Sequence, residues 1–322
     1  MRSKETEVAH GLSPHIRDRV TTRGIMSDVT IALVPAFLGS IYFFGIQSVI
    51  SVLTCVAACV FAEYLWQSLR KEEITAGDFS AVVTGMLLGM NFPVTTPVWV
   101  LIIASFFSII VVKQMFGGIG QNFANPALMG RALVVLLWPG TISQYVATNQ
   151  AGLDATSSAT VLSLIKAGKE IVDYSYWDMF IGNIPGALGE TSKLLLLLGF
   201  IYLCYRKIVS FSTSMTYIIT VVAITFVFGK DGFFTGDILA NLLGGGLLYG
   251  AFFMITDYSS VAPRVKVTMG LIAGIVTGII RVWGVFPEGV CFGILAANCL
   301  CGLVERILPP HIYGVGLKKE KL

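Results

Sequence analysis

Asp154, Thr156, Ser157, Ser158 and Thr160 form a compact run of small polar side chains in the middle of a strongly apolar chain. Residues of these types satisfy backbone donors in turns and at helix starts. The stretch from Thr160 onward reads as a short helix that closes near Lys166, Gly168 and Lys169. This spacing places Thr160 in the first turn of that helix. A phosphate carried on its hydroxyl would meet free backbone N–H groups and the positive end of the helix dipole. The same pattern also suits an ordinary capped surface helix.

Other candidate residues lie in or beside apolar runs. A charge near the bilayer centre costs roughly 2.5–3.5 kcal/mol on insertion scales, so Arg131 and Glu63 each need a reason to be there. Arg131, one turn into an apolar run, reads either as a partner for an anionic ligand or as a salt bridge tying helices. Asp78, Asp257, Glu190 and Glu288 fall at span ends and read as caps. Between Gly117 and Pro126, Asn122, Asn125 and the backbone near Gly118 offer donors where a helix breaks. The two asparagines also suit the capping of a span that starts at Pro126. His10, His15 and His311 are scattered, and the six cysteines sit in apolar runs without a CxxC pair. Neither set suggests a metal site, a catalytic triad or an iron–sulfur cluster.

The elements that must position these groups are membrane spans. Of 322 residues, 55% are hydrophobic and 13% charged, a composition of polytopic membrane proteins. A net charge of +3, spread over many loops, leaves no nucleic-acid footprint. Apolar runs predict about ten spans. They fall near 28–46, 47–67, 78–92, 95–113 and 125–138, then near 191–207, 212–229, 238–256, 265–281 and 288–306. The chain thus divides into an N-terminal segment 1–27, a first five-helix membrane repeat 28–138 and a polar segment 139–190. A second five-helix repeat at 191–306 and a tail at 307–322 complete it. Gly85–Gly89 parallels Gly246–Gly250, and Gly117–Asn122 parallels Gly284–Gly289. An odd number of spans per half makes the repeats inverted, with broken helices expected to meet near the midplane. Arg17, Arg19, Arg23, Arg70, Lys71, Lys113, Arg206, Lys207, Arg264, Lys266, Lys318, Lys319 and Lys321 fall on one side. Lys166, Lys169, Lys193, Lys230 and Arg281 fall on the other, which puts both termini in the cytoplasm and 139–190 outside.

Several stretches carry a resemblance. Asp154, Ser157, Ser158, Ala159 and Thr160 resemble the D-x-x-S-[GS]-A-T motif of the NqrB/RnfD family, in which a flavin transferase attaches FMN to the last threonine as a phosphodiester. Ser158 stands where many members have glycine. Ser13-Pro-His15, Gly77–Gly89, Gly117–Ala127, Gly186–Ser192 and Thr256–Pro263 resemble further family segments, in the same order. Tyr258 departs from a proline, and Ala124 stands where phenylalanine is common. The whole pattern is closer to the shorter RnfD type than to the NqrB type.

The resemblance implies an all-α integral membrane subunit of an Rnf complex. Such complexes pass electrons between ferredoxin and NAD and move Na⁺ or H⁺. It implies covalent FMN on Thr160, outside, with Asp154 shaping the turn or being read by the flavin transferase. Riboflavin held noncovalently is implied by the NqrB relatives. The expected partners are other Rnf subunits, among them a second covalent-flavin subunit and iron–sulfur subunits, and the lipid membrane. Gly118, Asn122, Asn125 and Arg131 are then candidate flavin contacts. The rival expectation is a small-solute channel or transporter of urea-channel-like fold without redox chemistry, which leaves segment 139–190 without a role.

Overall fold

The structure, a computed structural model, describes residues 21–146, 148, 158–168, 174–229, 232–256 and 265–307. Asp154, Ser157, Asp257 and the three histidines lie outside the described residues. The described chain is almost wholly helical. α1 (Thr22–Phe44), α2 (Ile46–Arg70), α3 (Ser80–Met90), α4 (Val98–Phe106) and α5 (Pro126–Leu137) form its first part. α4 runs on through a π-helical stretch, Phe107–Lys113. Three short helices follow: α6 (Pro139–Ile142), α7 (Val161–Ala167) and α8 (Tyr176–Ile181). Then come α9 (Lys193–Tyr205), α10 (Phe211–Val227), α11 (Ile238–Leu243), α12 (Leu247–Tyr249), α13 (Val265–Trp283) and α14 (Val290–Ile307). A two-residue hairpin, β1 (Phe228–Gly229) with β2 (Gly232–Phe233), caps the end of α10.

Among the described residues, five helices are long and apolar enough to cross a membrane: α1, α2, Val98–Phe116, α13 and α14. Many of their large apolar side chains point outward, although Leu33, Phe43 and Phe44 of α1 are buried. On α1, Ile31, Val34, Leu38 and Tyr42 are exposed, while Ala32, Ala36, Gly39 and Ser40 are buried. On α2 the buried stripe is Ser48, Ser51, Val52, Cys55, Ala58, Cys59 and Ala62. Small residues inside let backbones approach, and bulky ones outside meet lipid.

That stripe receives α3. A Cβ on Gly85 would lie 2.5 Å from Val56 Cα and 2.9 Å from the Cys55 carbonyl, and one on Gly89 would lie 2.9 Å from Val52 Cα. Gly250 is likewise filled by Val290 and Ile294 of α14. The expectation that these glycines bring the two broken spans against each other is therefore corrected. They seat each broken span on its own neighbour. The two spans do touch, through the Tyr249 hydroxyl donating to the Leu87 carbonyl at 3.1 Å. Gly85→Ala should push α3 off α2 and lower stability by about 1–3 kcal/mol, as overpacking does. Thermal unfolding of the solubilised protein would show it, and an unchanged midpoint would refute this packing.

Three sequence expectations shift. α1 begins at Thr22, so a boundary at 27 falls inside it. The end of the polar segment is not a solvent-exposed loop: Ala187, Leu188 and Glu190 are buried. There Leu188 N–H donates to the Phe92 carbonyl at 3.1 Å and Gly189 N–H to the Met90 carbonyl at 2.6 Å. Lys113, Lys193 and Arg281, expected as loop charges, are buried inside the protein and carry no information on orientation.

Candidate functional site

Thr160 is the N-cap of α7, one position before the first turn in which the spacing places it. Its side chain accepts from Ser163 N–H at 3.3 Å. A β-region backbone at Thr160 and a left-handed Gly168 bracket this short helix. The helix is tied down at its far end: Lys166 Nζ donates to the Phe286 carbonyl at 2.6 Å. Partial burial lowers the Lys166 ammonium below the usual lysine range.

Ser158, Ala159, Thr160 and Ser163 form one wall of a cavity of about 270 Å³. Arg131 and Val135 of α5, Ile142 and Tyr145, and Phe286, Glu288 and Phe292 are among its other lining residues. Phe286 and Phe292 stack with ring centroids 5.4 Å apart. The space is near the lower end of the range for small-molecule sites, about 300 Å³, and mostly apolar with a few polar groups, as such sites are.

Arg131 is buried and makes the densest set of polar contacts in this region. Nη2 binds Glu288 Oε2 at 2.7 Å, Nη1 binds Asn91 Oδ1 at 2.8 Å, and Glu190 Oε1 lies 3.5 Å from both. Its Nε is buried without a partner. Arg131 thus ties α5 to α3 and to two loops, and it also lines the cavity, so both roles open at the sequence level are structurally available. Glu190 and Glu288, expected as caps at span ends, are instead its buried counter-ions. No local signal singled them out; a buried arginine requires carboxylate partners, but their identity is not local.

Behind the cavity the span 238–254 breaks between α11 and α12. Gly245 there has a φ of +64°, in the left-handed region. Buried charges satisfy the broken ends: Arg281 Nη1 donates to the Asn241 carbonyl at 2.6 Å, and Lys193 Nζ to the Gly245 carbonyl at 3.0 Å. Gly246 N–H donates to Glu288 Oε1. Cations thus meet freed carbonyls at one helix end and a carboxylate meets a freed N–H at the other, as dipole arguments require.

Gly118, Asn122 and Asn125 do not join this site. Asn125 is the N-cap of α5, accepting from Ala127 N–H at 3.0 Å and Leu128 N–H at 3.3 Å, with Pro126 in the first position. Arg131 lies six residues on, about 9 Å along the helix at 1.5 Å per residue. Asn122 and Asn125 line a second cavity, of about 70 Å³, with Ser80, Thr84, Lys113 and Leu203. Asn122 Oδ1 is buried there without a partner. Gly118 has a φ of +91° in the loop before it and is not among the lining residues. The α5 helix thus borders two separate cavities, one near its start and one farther along.

A family model described as the NQR2, RnfD, RnfE family matches residues 10–314. Over 315 residues the chain is 40% identical to the D subunit of the Na(+)-translocating ferredoxin:NAD(+) oxidoreductase complex of Acetobacterium woodii, with 96% of each chain covered. It is 37% identical over 313 residues to the D subunit of the proton-translocating ferredoxin:NAD(+) oxidoreductase complex of Clostridium ljungdahlii, covering 94% of this chain and 95% of the relative. The D subunit of the ion-translocating oxidoreductase complex of Escherichia coli O1:K1 / APEC is 28% identical over 343 residues, with 94% and 97% covered.

Proposed function

The chain belongs to the NQR2, RnfD, RnfE family of membrane proteins, and on that premise we propose that it is the electron-transfer subunit of an Rnf-type complex with FMN esterified to Thr160. The observation that carries this reading is the place of the Thr160 hydroxyl, on the wall of a mostly apolar cavity with a buried arginine among its lining residues. The residues fit the group. Phe286, Phe292, Val135 and Ile142 would exclude water from a flat ring, and Arg131 and Tyr145 are among the polar side chains beside it. A flavin held there supplies one-electron transfer between carriers on neighbouring subunits. Thr160 would hold it at constant distance, α7 is pinned through Lys166, and the Arg131–Glu288 ion pair stands beside the cavity.

The same reading takes α1–α5 and α9–α14, with α11 and α12 as one broken span, as two inverted repeats of five spans each. It is supported by α1 packing along α9, by α2 receiving α3 and α4, and by α10 receiving α13. The start of α1 and the end of α9 share one side, joined by Asp28 with Tyr202 at 2.8 Å and Arg206 at 2.8 Å. We place that side, with both termini, in the cytoplasm and the Thr160 cavity outside. Other Rnf subunits, a second covalent-flavin subunit and iron–sulfur subunits among them, are the electron-exchange partners. Asp154 is assigned to the turn read by the flavin transferase. Its carboxylate would repel a phosphodiester, so it serves attachment and not holding. The cavity at Asn122 is too small as it stands for a whole riboflavin, and no step is derived from it. Relatives of similar identity are named for Na⁺ and for protons, so the ion is not assigned.

The test is colour under denaturation. The protein purified with its complex should show flavin fluorescence on a denaturing gel, and the mass of FMN less water should sit on the peptide containing Thr160. A colourless band would return the reading to a channel or a structural scaffold.

A further inference from the structure

We infer that Glu288 couples the charge in the Thr160 cavity to the break in the span 238–254, which rests on, and deepens, the assignment of a flavin to Thr160. Two contacts meet at this one carboxylate. Oε2 binds Arg131 Nη2 at 2.7 Å beside the cavity, and Oε1 accepts from the N–H of Gly246, the residue that precedes α12. Glu288 itself lines the cavity, so it bridges cavity and helix break with no residue in between.

The break has little else to hold that N–H. Gly244, Gly245 and Gly246 carry no side chains, and a Cβ on Gly246 would lie 2.9 Å from Glu190 Oε1, so the carboxylates pack directly on the backbone. On the carbonyl side the break is held by Arg281 and Lys193. On the amide side Glu288 is the acceptor.

One electron delivered to the cavity by a one-electron carrier of the complex adds one negative charge, with no bond formed or broken. Arg131 is the cation beside it, paired with Glu288 at 2.7 Å and with Glu190 at 3.5 Å. An added anion draws the guanidinium and repels the Glu288 carboxylate. Both effects loosen the Arg131–Glu288 pair and with it the hold on Gly246. Charge in the cavity is thereby read at a helix break inside the protein. Glu288 acts through Arg131 and Gly246 as a positioning residue.

The experiment has two readouts. In the purified complex, amide hydrogen exchange of the peptide spanning Gly244–Gly250 should be faster in the reduced than in the oxidised state. In Glu288→Gln it should be fast in both. Removing the negative charge should also shift the one-electron equilibrium of the Thr160-bound flavin about tenfold toward reduction, a potential about 59 mV higher. Glu288→Asp keeps the charge but shortens the reach, so the potential should stay while the redox dependence of exchange is lost. This variant also guards against a folding defect in the first. Equal exchange in the two redox states of the parent protein would overturn the inference, as would an unshifted potential in Glu288→Gln. Peptide mass identifies flavin on Thr160 independently. Its absence from the parent protein overturns the reading beneath, and with it this inference; its presence with flat exchange overturns the inference alone.

Discussion

Thr160→Ala should abolish covalent flavin entirely while leaving the helical protein inserted and assembled. The hydroxyl at Thr160 is the atom that an ester would use, and no other side chain of α7 presents an equivalent one. Ser163, on the same cavity wall, already donates its hydroxyl to the Thr160 carbonyl at 2.7 Å. The structural cost is that of an N-cap: loss of the 3.3 Å bond to Ser163 N–H, typically about 1 kcal/mol, confined to a seven-residue helix at the protein's edge. Unfolding midpoint and complex assembly should therefore barely change while in-gel fluorescence falls to background. Thr160→Ser, which keeps the hydroxyl, should retain some flavin. Undiminished fluorescence in the alanine variant, or the flavin mass on another peptide, would move the attachment elsewhere.

Lys113→Met should cost about 3–5 kcal/mol, the range for removing one partner of a buried ion pair. Lys113 Nζ binds Glu63 Oε1 at 2.8 Å and Ser80 Oγ at 2.6 Å, and Gln114 Nε2 reaches the same Glu63 oxygen at 2.6 Å. Both charged side chains are almost fully buried, at 3% and 1% exposure, so water cannot replace the missing cation. Glu63 Oε2 is already without a partner, and losing Lys113 leaves most of the carboxylate's charge uncompensated. The double variant Lys113→Met with Glu63→Leu removes both charges and should recover most of the loss, since a well-packed apolar pair can equal a buried ionic one. Thermal unfolding in detergent measures the parent, the two single variants and the double. If the double variant were as unstable as the sum of the singles, the ion pair would not be the source of the effect.

Much of the architecture was legible because its signals are local. A span is a run of apolar residues, and the start of α5 at Asn125-Pro126 and the breaks at glycine-rich stretches followed directly from residue type. The polar run ending at Thr160 could be read as a helix start because capping is a matter of neighbours three residues apart. The family resemblance was legible for the same reason: its motifs are contiguous. Even here the start of α1 lay six residues earlier than the apolar run suggests, and Thr160 is the cap and not the first turn of α7.

What only the tertiary structure decided is which distant residues share a site. Glu288 lies 157 residues from Arg131 and Glu190 lies 59, yet all three meet in one buried cluster beside the Thr160 cavity. At the sequence level both glutamates looked like span-end caps, and Lys113, Lys193 and Arg281 like loop charges. Conversely, Asn122 and Asn125 lie nine and six residues from Arg131 but line a different cavity at the other end of α5. The chain alone determined where apolar helices form and which threonine begins α7, because hydrophobic patterning and capping act over a few residues. The partners of the buried charges were decided by the fold, because a desolvated charge is held by whichever opposite charge, carbonyl or N–H the packing brings within about 3 Å.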